Sequence, residues 1–205
     1  MDLKVVILGN TGFIGAALTA ELQQNNSLLV EGYNSSNLDL TLGNCVDRLC
    51  DVVDDKTVVI VTSRSHRTQD KIESFSDNIT IATNVAQCLS KKRVRKCLYF
   101  STLSVYSDTT TNLSITEETA VTPASLYGAA KFASECVVKQ AASENDIPLV
   151  IFRPCMVYGP GDNSDAYGPT RFIKSVLQEG KVYLFGDGTE LKEHLCFLFK
   201  YGFAC

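Results

Sequence analysis

One stretch near the start of the chain decides the fold class, VVILGNTGFIG, residues 5–15. Its first four residues are apolar, as is typical of a buried strand, and glycines follow at positions 9, 12 and 15. Glycine permits a tight turn, a close approach of the backbone to a pyrophosphate and close packing of helix on strand. The helix that opens here also presents free N–H groups to an anion. We therefore predict that a dinucleotide contacts Gly9, Thr11, Gly12, Phe13, Ile14 and Gly15.

The rest of the chain alternates short apolar runs with stretches of helical period. The runs are residues 28–30, 58–61, 97–100 and 149–152, and the helical stretches are residues 12–24, 42–53, 72–89 and 126–143. This alternation predicts an α/β fold with a Rossmann-type, doubly wound parallel sheet. We place a dinucleotide-binding domain at residues 1–153 and a partial C-terminal region, with one helix at residues 170–178, at residues 154–205.

The charge and hydropathy of the chain argue against nucleic-acid-binding and membrane-spanning functions. The chain has 205 residues, 45% of them hydrophobic, and its 19 basic and 23 acidic residues give a net charge of −4. This balance argues against a nucleic-acid partner and favours small-molecule ligands. No apolar run reaches the roughly 18 residues of a membrane span, and no leader precedes the first strand. We therefore expect a cytoplasmic protein without a membrane partner.

The cysteines and histidines give no sign of a metal site. The eight cysteines form no CxxC pair, and the two histidines, His66 and His194, do not stand at ligand spacing from them. Most of the cysteines lie in apolar surroundings. We expect reduced, buried thiols and no metal.

Five sequence blocks occur in the order found in one enzyme family. They are the G-x-x-G-x-x-G turn, Asn84, FSTLSVY at residues 100–106, YGAAK at residues 127–131 and RPCMVYGPG at residues 153–161. On these blocks the chain resembles the extended short-chain dehydrogenases/reductases, specifically the NAD-dependent epimerase/dehydratase family that acts on nucleotide sugars. The resemblance extends from residue 3 to about residue 194. It implies an NAD or NADP cofactor, a nucleotide-sugar substrate and a C-terminal substrate lobe.

Tyr127 and Lys131 carry the chemistry that this resemblance implies. Residues four apart share a helix face, so the ammonium can lie close to the phenol. A neighbouring cation favours the phenolate and makes a tyrosine usable as an acid and base near neutral pH. The resemblance adds Thr102, whose hydroxyl would bond the reacting oxygen, with Ser101 as its substitute. The predicted catalytic set is Thr102, Tyr127 and Lys131; the alternative is an ordinary surface Tyr–Lys pair.

The form of the cofactor stays open. NAD specificity usually comes from a carboxylate at the end of the second strand, where this chain has Tyr33 followed by small polar residues. The missing carboxylate favours NADP, but no Arg accompanies these residues. Besides the glycine turn, the resemblance assigns the cofactor to Asn34, Ser35, Asp39, Leu40, Ser63, Asn84, Ser101, Tyr127, Lys131 and Pro154. Asp39 is equally suited to cap the following helix.

The resemblance implies an NAD(P)-dependent nucleotide-sugar epimerase, with hydride transfer at a sugar carbon and Tyr127 as acid and base. Two alternatives remain, a nucleotide-sugar 4-keto reductase and a non-catalytic dinucleotide-binding module or inactive truncated form. A dehydratase is not expected, because Leu103 and Ser104 occupy the positions at which that branch of the family has an acidic pair.

The resemblance stops after His194, before the family's substrate lobe is complete. The run that follows, residues 195–205, is apolar and has no clear helix or strand period. We expect it to pack on the domain, to lie in the contact of a homodimer or to promote aggregation. We also expect this truncated form to bind a dinucleotide and to bind a nucleotide sugar weakly.

Overall fold

The computed structural model describes residues 3–65, 71–106, 114–162 and 168–183, and the backbone of residues 195–199 and 202–204. The elements in chain order are β1 (Leu3–Leu8), α1 (Phe13–Leu22), β2 (Leu28–Tyr33), α2 (Cys45–Val52), β3 (Val58–Val61), α3 (Lys71–Lys91), β4 (Lys96–Phe100), a 3₁₀ turn (Leu103–Val105), α4 (Leu126–Glu144), β5 (Leu149–Phe152), β6 (Met156–Tyr158), α5 (Gly168–Glu179), β7 (Leu195–Phe199) and β8 (Gly202–Ala204).

The first five strands form one parallel sheet in the order β2-β1-β3-β4-β5. This arrangement confirms the predicted α/β fold with a parallel sheet. The chain passes from β2 on one side of β1 to β3 on its other side, so the strand order reverses between β1 and β3. In open α/β sheets, ligands bind beyond the carboxyl ends of the strands at such a reversal.

Side chains alternate along the strands, so the sheet presents apolar side chains on both of its faces. Helices pack on both faces. Val5 and Ile7 of β1 pack on one face, with Leu18 and Leu22 of α1. Val6 and Leu8 point to the opposite face, where buried residues of α2, α3 and α4 surround them. Burial on both faces explains why the strands read as continuous apolar runs.

A second, three-stranded sheet lies near the C-terminus in the order β6-β7-β8. β6 pairs with β7 in parallel, β7 pairs with β8 in antiparallel fashion, and both β7 and β8 lie next to α1. Residues 195–199 and 202–204 are therefore strands, although their sequence shows no clear strand period. An apolar run without alternation hides its strand period, because the pattern depends on one face being polar. Of the three expected outcomes for this run, its described backbone follows the first, packing on the domain.

Helix α5 differs from the helices of the main sheet in the surface that it leaves uncovered. Within the described residues, Ile173, Val176 and Leu177 are exposed, Leu177 by 81%.

Among the helices of the described residues, none combines the length and the apolar character that a membrane span requires.

The cysteines follow the expectation of buried thiols at four positions. Cys45, Cys50, Cys88 and Cys97 are buried and free. Cys136 is exposed, which corrects the expectation for that residue, because it lies on the outer face of α4.

Candidate active site

The glycine turn joins β1 to α1 through contacts that leave no room for a Cβ at two of its three glycines. Gly9 has φ +91°, and a Cβ there would lie 2.8 Å from the backbone N of Ser63 at the end of β3. At Gly15 a Cβ would collide with the carbonyl oxygen of Gly9, whereas at Gly12 it would meet that oxygen at an ordinary 3.4 Å. The Gly9 N–H donates to the Tyr33 carbonyl at 2.7 Å, which ties the turn to the end of β2.

The N-terminus of α1 lies at this turn. Its N-cap residue, Gly12, is extended and has no side-chain cap. Thr11 and Gly12 are exposed, and Phe13 and Ile14 are half-buried. Helical N–H groups without a side-chain acceptor, beside a backbone that approaches closely, fit the phosphates of a dinucleotide.

The loop after β2 is held by its own polar side chains. The Asn34 side chain donates to Asn10 Oδ1 at 3.3 Å, and its Oδ1 accepts from the Ser36 N–H at 2.8 Å, with exposed Ser35 between them. Asp39 accepts from the N–H and the hydroxyl of Thr41. Asp39 therefore closes a local turn and does not cap α2, whose N-cap residue is Asn44.

Asn84 of α3 connects this loop to the core. Its side-chain amide donates to the Leu40 carbonyl at 2.9 Å, and both residues are buried. Leu40 belongs to the hydrophobic cluster between the sheet and α2, α3 and α4. In the structure, Asn84 and Leu40 therefore fix the loop on which Asn34, Ser35 and Asp39 lie.

The one carboxylate near the end of β2 already has partners. Glu31 accepts from the Tyr33 hydroxyl at 2.9 Å and pairs with Lys4 at 3.1 Å. Burial and the neighbouring Glu31 raise the pKa of Tyr33, so this phenol stays protonated. The loop thus presents amides and hydroxyls where NAD-binding relatives of this fold usually present a carboxylate.

The segment after β4 places two hydroxyls at the carboxyl edge of the sheet. Thr102 caps the 3₁₀ turn by accepting from the Ser104 N–H at 3.2 Å. The Leu103 N–H donates to the Pro154 carbonyl at 2.9 Å, which brings the segment after β5 against this turn. The Ser101 hydroxyl is buried and has no hydrogen-bond partner among the described residues. A buried donor without a partner costs free energy, so a ligand group that meets it would be stabilised.

Tyr127 lies in the first turn of α4, which is held against the 3₁₀ turn. The Ser125 hydroxyl caps α4 by accepting from the Gly128 N–H at 3.0 Å. At Gly128 a Cβ would collide with the Ser104 carbonyl oxygen, so only glycine permits this approach. The guanidinium carbon of Arg64 lies 5.6 Å from the centroid of the Tyr127 ring, within the range of a cation–π contact.

Lys131 lies one turn further along α4 and has a partner that the sequence does not indicate. Its Nζ donates to the Tyr99 hydroxyl of β4 at 3.0 Å and lies 4.4 Å from the Tyr99 ring centroid. Burial lowers the pKa of Lys131 to about 7, and Glu135 partly opposes this change. Burial also raises the pKa of Tyr99, so its phenol is neutral. The ammonium expected beside Tyr127 therefore contacts Tyr99 in this structure.

An ion pair between half-buried Arg153 and buried Glu135 stabilises the same helix. Arg153, just after β5, donates from Nε to one oxygen of Glu135 at 3.0 Å and from Nη2 to the other at 2.6 Å. Its Nη1 donates to the Tyr106 hydroxyl at 2.6 Å, so α4, β5 and the 3₁₀ turn are joined at one point. Glu135 and the Tyr106 hydroxyl raise the pKa of Arg153 further.

The predicted site residues thus lie along the carboxyl ends of β1, β2, β3, β4 and β5. Ser63 is next to Gly9, Pro154 is bonded to the 3₁₀ turn behind Thr102, and Tyr127 begins the helix packed on that turn. Such an edge can hold an extended anionic ligand and exchange a proton at a phenol. Within the described residues no group of three side chains could hold a metal ion. His66 and His194 lie outside the described residues.

Comparisons with known proteins agree with this geometry. The sequence model of the NAD dependent epimerase/dehydratase family matches residues 5–196. "Uncharacterized UDP-glucose epimerase YtcB" of Bacillus subtilis is 30% identical over 116 residues, which are 57% of this chain and 36% of that protein.

Two solved structures from Bacillus cereus are similar to this chain. UDP-N-acetylglucosamine 4-epimerase is 26% identical with a TM-score of 0.68, over 85% of this chain and 62% of that chain. UDP-glucuronic acid 4-epimerase in complex with NAD is 24% identical with a TM-score of 0.77, over 91% of this chain and 67% of that chain, and supports the fold. The chain thus spans about two thirds or less of each relative's length.

Proposed function

Because this chain belongs to the NAD dependent epimerase/dehydratase family, we propose that it binds NAD or NADP along the carboxyl edge of its parallel sheet and acts on a nucleotide sugar as an epimerase. The observation that carries the proposal is the position of Tyr127. A helix cap at Ser125 and the close packing of Gly128 on Ser104 hold the start of α4, which carries Tyr127, against the segment that bears Thr102. Relatives named as UDP-sugar epimerases support the substrate class.

The proposed cofactor site runs from the glycine turn to Pro154. The N–H groups of α1 would hold its phosphates, because Gly9 and Gly15 allow a close approach. The loop with Asn34, Ser35, Asp39 and Leu40 would hold the adenosine end, and Ser63, Ser101 and Pro154 would hold the nicotinamide end. The buried Ser101 hydroxyl supports this placement, because a ligand group would supply the partner that the described residues do not.

Within this site, each catalytic side chain has one task. A nicotinamide held at this edge would supply the hydride chemistry, taking a hydride from a sugar carbon and returning it. Tyr127 accepts the proton of the sugar hydroxyl at its phenol oxygen and later donates it back, and the Thr102 hydroxyl bonds the same sugar oxygen. Lys131, held on Tyr99, fixes the face of α4 that meets the ligand. Arg64 supplies a positive charge beside the Tyr127 ring and stabilises the phenolate.

A reductase is the second candidate, and the loop after β2 favours it. No carboxylate follows Tyr33 directly, and Glu31 is engaged by Tyr33 and Lys4, which is compatible with the 2′-phosphate of NADP. A 4-keto reductase consumes added NADPH, whereas an epimerase regenerates its bound cofactor. Loss of NADPH absorbance in the presence of a 4-keto nucleotide sugar separates the two.

The Tyr127→Phe variant tests the proposal. It removes only the phenol oxygen, so we expect turnover of a UDP-sugar to fall by about a hundredfold or more. Dinucleotide affinity, measured by calorimetry, should stay within about a factor of ten, since one hydrogen bond contributes about 1 kcal/mol in net terms. Tyr183→Phe is the matched control, because Tyr183 is exposed and its hydroxyl donates to Glu179.

Two results would count against this proposal. If Tyr127→Phe keeps most of the wild-type turnover, Tyr127 is not the acid and base. If the wild-type chain binds neither NAD nor NADP, the cofactor site is wrong and the family fold has been retained without it. A chain that binds a dinucleotide but no nucleotide sugar is the non-catalytic binding module, which we keep as the third candidate.

A further inference from the structure

Two cysteines meet where α2 packs on α3. Their sulfur atoms, Sγ of Cys50 and Sγ of Cys88, lie 3.3 Å apart, and both side chains are buried. The residues are 38 positions apart in sequence, so the contact exists only because the two helices pack together. Both thiols are free in this structure.

We propose that Cys50 and Cys88 form a redox pair, which a peroxide such as hydrogen peroxide oxidises to a disulfide that joins α2 to α3. A disulfide bond is about 2.05 Å long, so the sulfurs must approach each other by little more than 1 Å. We expect rotation of the two side chains to supply a movement of this size. The proposal does not depend on the proposed function.

The two sulfurs take different parts in the reaction. Cys50 is 6% exposed and Cys88 is 1% exposed, so the peroxide reaches Cys50 first. Burial and the neighbouring Cys50 also raise the pKa of Cys88, which makes Cys88 a poor first nucleophile. The Cys50 sulfur attacks one peroxide oxygen, forms a sulfenic acid and releases water.

The second step closes the bond. The Cys88 sulfur attacks the Cys50 sulfur, an S–S bond forms, and the sulfenic oxygen leaves as a second water with the Cys88 proton. In total one peroxide is reduced to two waters, and two thiols are oxidised to one disulfide. A thiol reductant reverses the change by exchange.

The linkage lies close to the loop that follows β2. Asn84, one helical turn before Cys88, donates to the Leu40 carbonyl and so holds that loop. A bond between Cys50 and Cys88 would fix α2 against the same face of α3. Oxidation therefore stabilises this side of the molecule against local unfolding, since a cross-link restricts the unfolded chain.

Peptide mapping of the folded wild-type chain tests the pair directly. Trypsin separates residues 49–56 from residues 72–91, and each peptide contains one cysteine. After mild peroxide treatment and alkylation, we expect one linked species with a mass two hydrogens below the sum of the two peptides. Cys136 is the internal control, because it is exposed and has no place in the proposed pair.

Stability supplies a second measurement. We expect the oxidised wild-type chain to have a Tm about 5 °C or more above the reduced chain, and a reductant to remove the difference. Cys50→Ser and Cys88→Ser should each abolish the peroxide-dependent rise, and Cys136→Ser should keep it. Mapping of the wild type needs no variant, so a variant that fails to fold leaves the test intact.

The proposal is overturned if peroxide oxidises Cys136 while Cys50 and Cys88 remain fully alkylated. It is also overturned if the linkage forms only in urea, because the bond would then belong to the unfolded chain. The proposal is overturned as well if, in the folded chain, Cys50 forms a disulfide with a cysteine other than Cys88.

Discussion

The two halves of the candidate site are built in different ways. Around the glycine turn, the backbone packs so closely that there is no space for a Cβ at Gly9, next to Ser63, or at Gly15, next to the Gly9 carbonyl. Around the start of α4, buried charged and polar side chains fill the same edge of the sheet, with Lys131 on Tyr99 and Arg153 on Glu135. The first half is shaped by steric exclusion, and the second is held by charge and hydrogen bonding. A methyl group should therefore damage the first, and a change of charge the second.

The largest effect is expected at Gly15. A Cβ at this position would meet the Gly9 carbonyl at a distance that real side chains do not reach, so the backbone must move. We expect Gly15→Ala to lower the free energy of unfolding by at least about 3 kcal/mol, measured by urea denaturation. Gly43→Ala is the control, since a Cβ there has nothing within 4 Å. Equal stability of the two variants would show that the backbone of the turn relaxes easily. Steric exclusion would then not shape the glycine half of the site.

A smaller effect is expected at the ion pair between Arg153 and Glu135. Glu135→Gln keeps the shape of the side chain but removes the charge opposite Arg153. Arg153 keeps 23% of its side-chain surface in contact with water, which limits the loss, so we expect the free energy of unfolding to fall by about 2 kcal/mol. Asp47→Asn is the matched control on the exposed pair with Lys91, and it should leave stability unchanged within error. A neutral result at Glu135 would show that packing rather than charge holds α4.

The finest test is the pH dependence of stability at Lys131. Burial lowers the pKa of Lys131 in the native state to about 7, below its ordinary value of 10.5. Between these values the unfolded chain binds a proton that the folded chain has released, so the contribution of Lys131 to stability rises with pH and is lowest below pH 7.

Lys131→Met removes this group and makes the effect measurable. We expect the stability of the wild type minus that of the variant to rise by about 1 kcal/mol per pH unit above about pH 7. Lys139→Met, on the exposed side of the same helix, should give a flat difference. A flat difference for Lys131→Met would mean that Lys131 stays protonated in the fold.

The glycine half of the site could be predicted from the sequence, because its cause is local. Gly9 and Gly15 stand directly between an apolar run and a helical stretch, and their conformation follows from that position. The five strands of the main sheet could be predicted for the same reason, since each contains a short apolar run. In the inner strands β1 and β3 most of this run is buried.

The α4 half could be predicted only in part, because its contacts join residues far apart in the chain. The spacing of Tyr127 and Lys131 correctly gives one helix face, but it does not reveal that Tyr99 of β4 lies beneath that face and accepts from the ammonium. Glu135 precedes apolar residues in the sequence, and only the position of Arg153 after β5 gives it a partner. Tyr99 stands in an apolar run, which indicates its burial but not the partner of its hydroxyl.

The order of the main sheet has a consequence for how the chain folds during synthesis. β1 is made first and lies inside the sheet; β2 joins one of its edges, β3 the other, and β4 and β5 then extend the sheet outward from β3. Each strand that leaves the ribosome thus finds a free edge, and no strand has to enter between two that are already paired. We expect the nascent chain to assemble this sheet progressively, from β1 outward, without the opening of a completed strand pair.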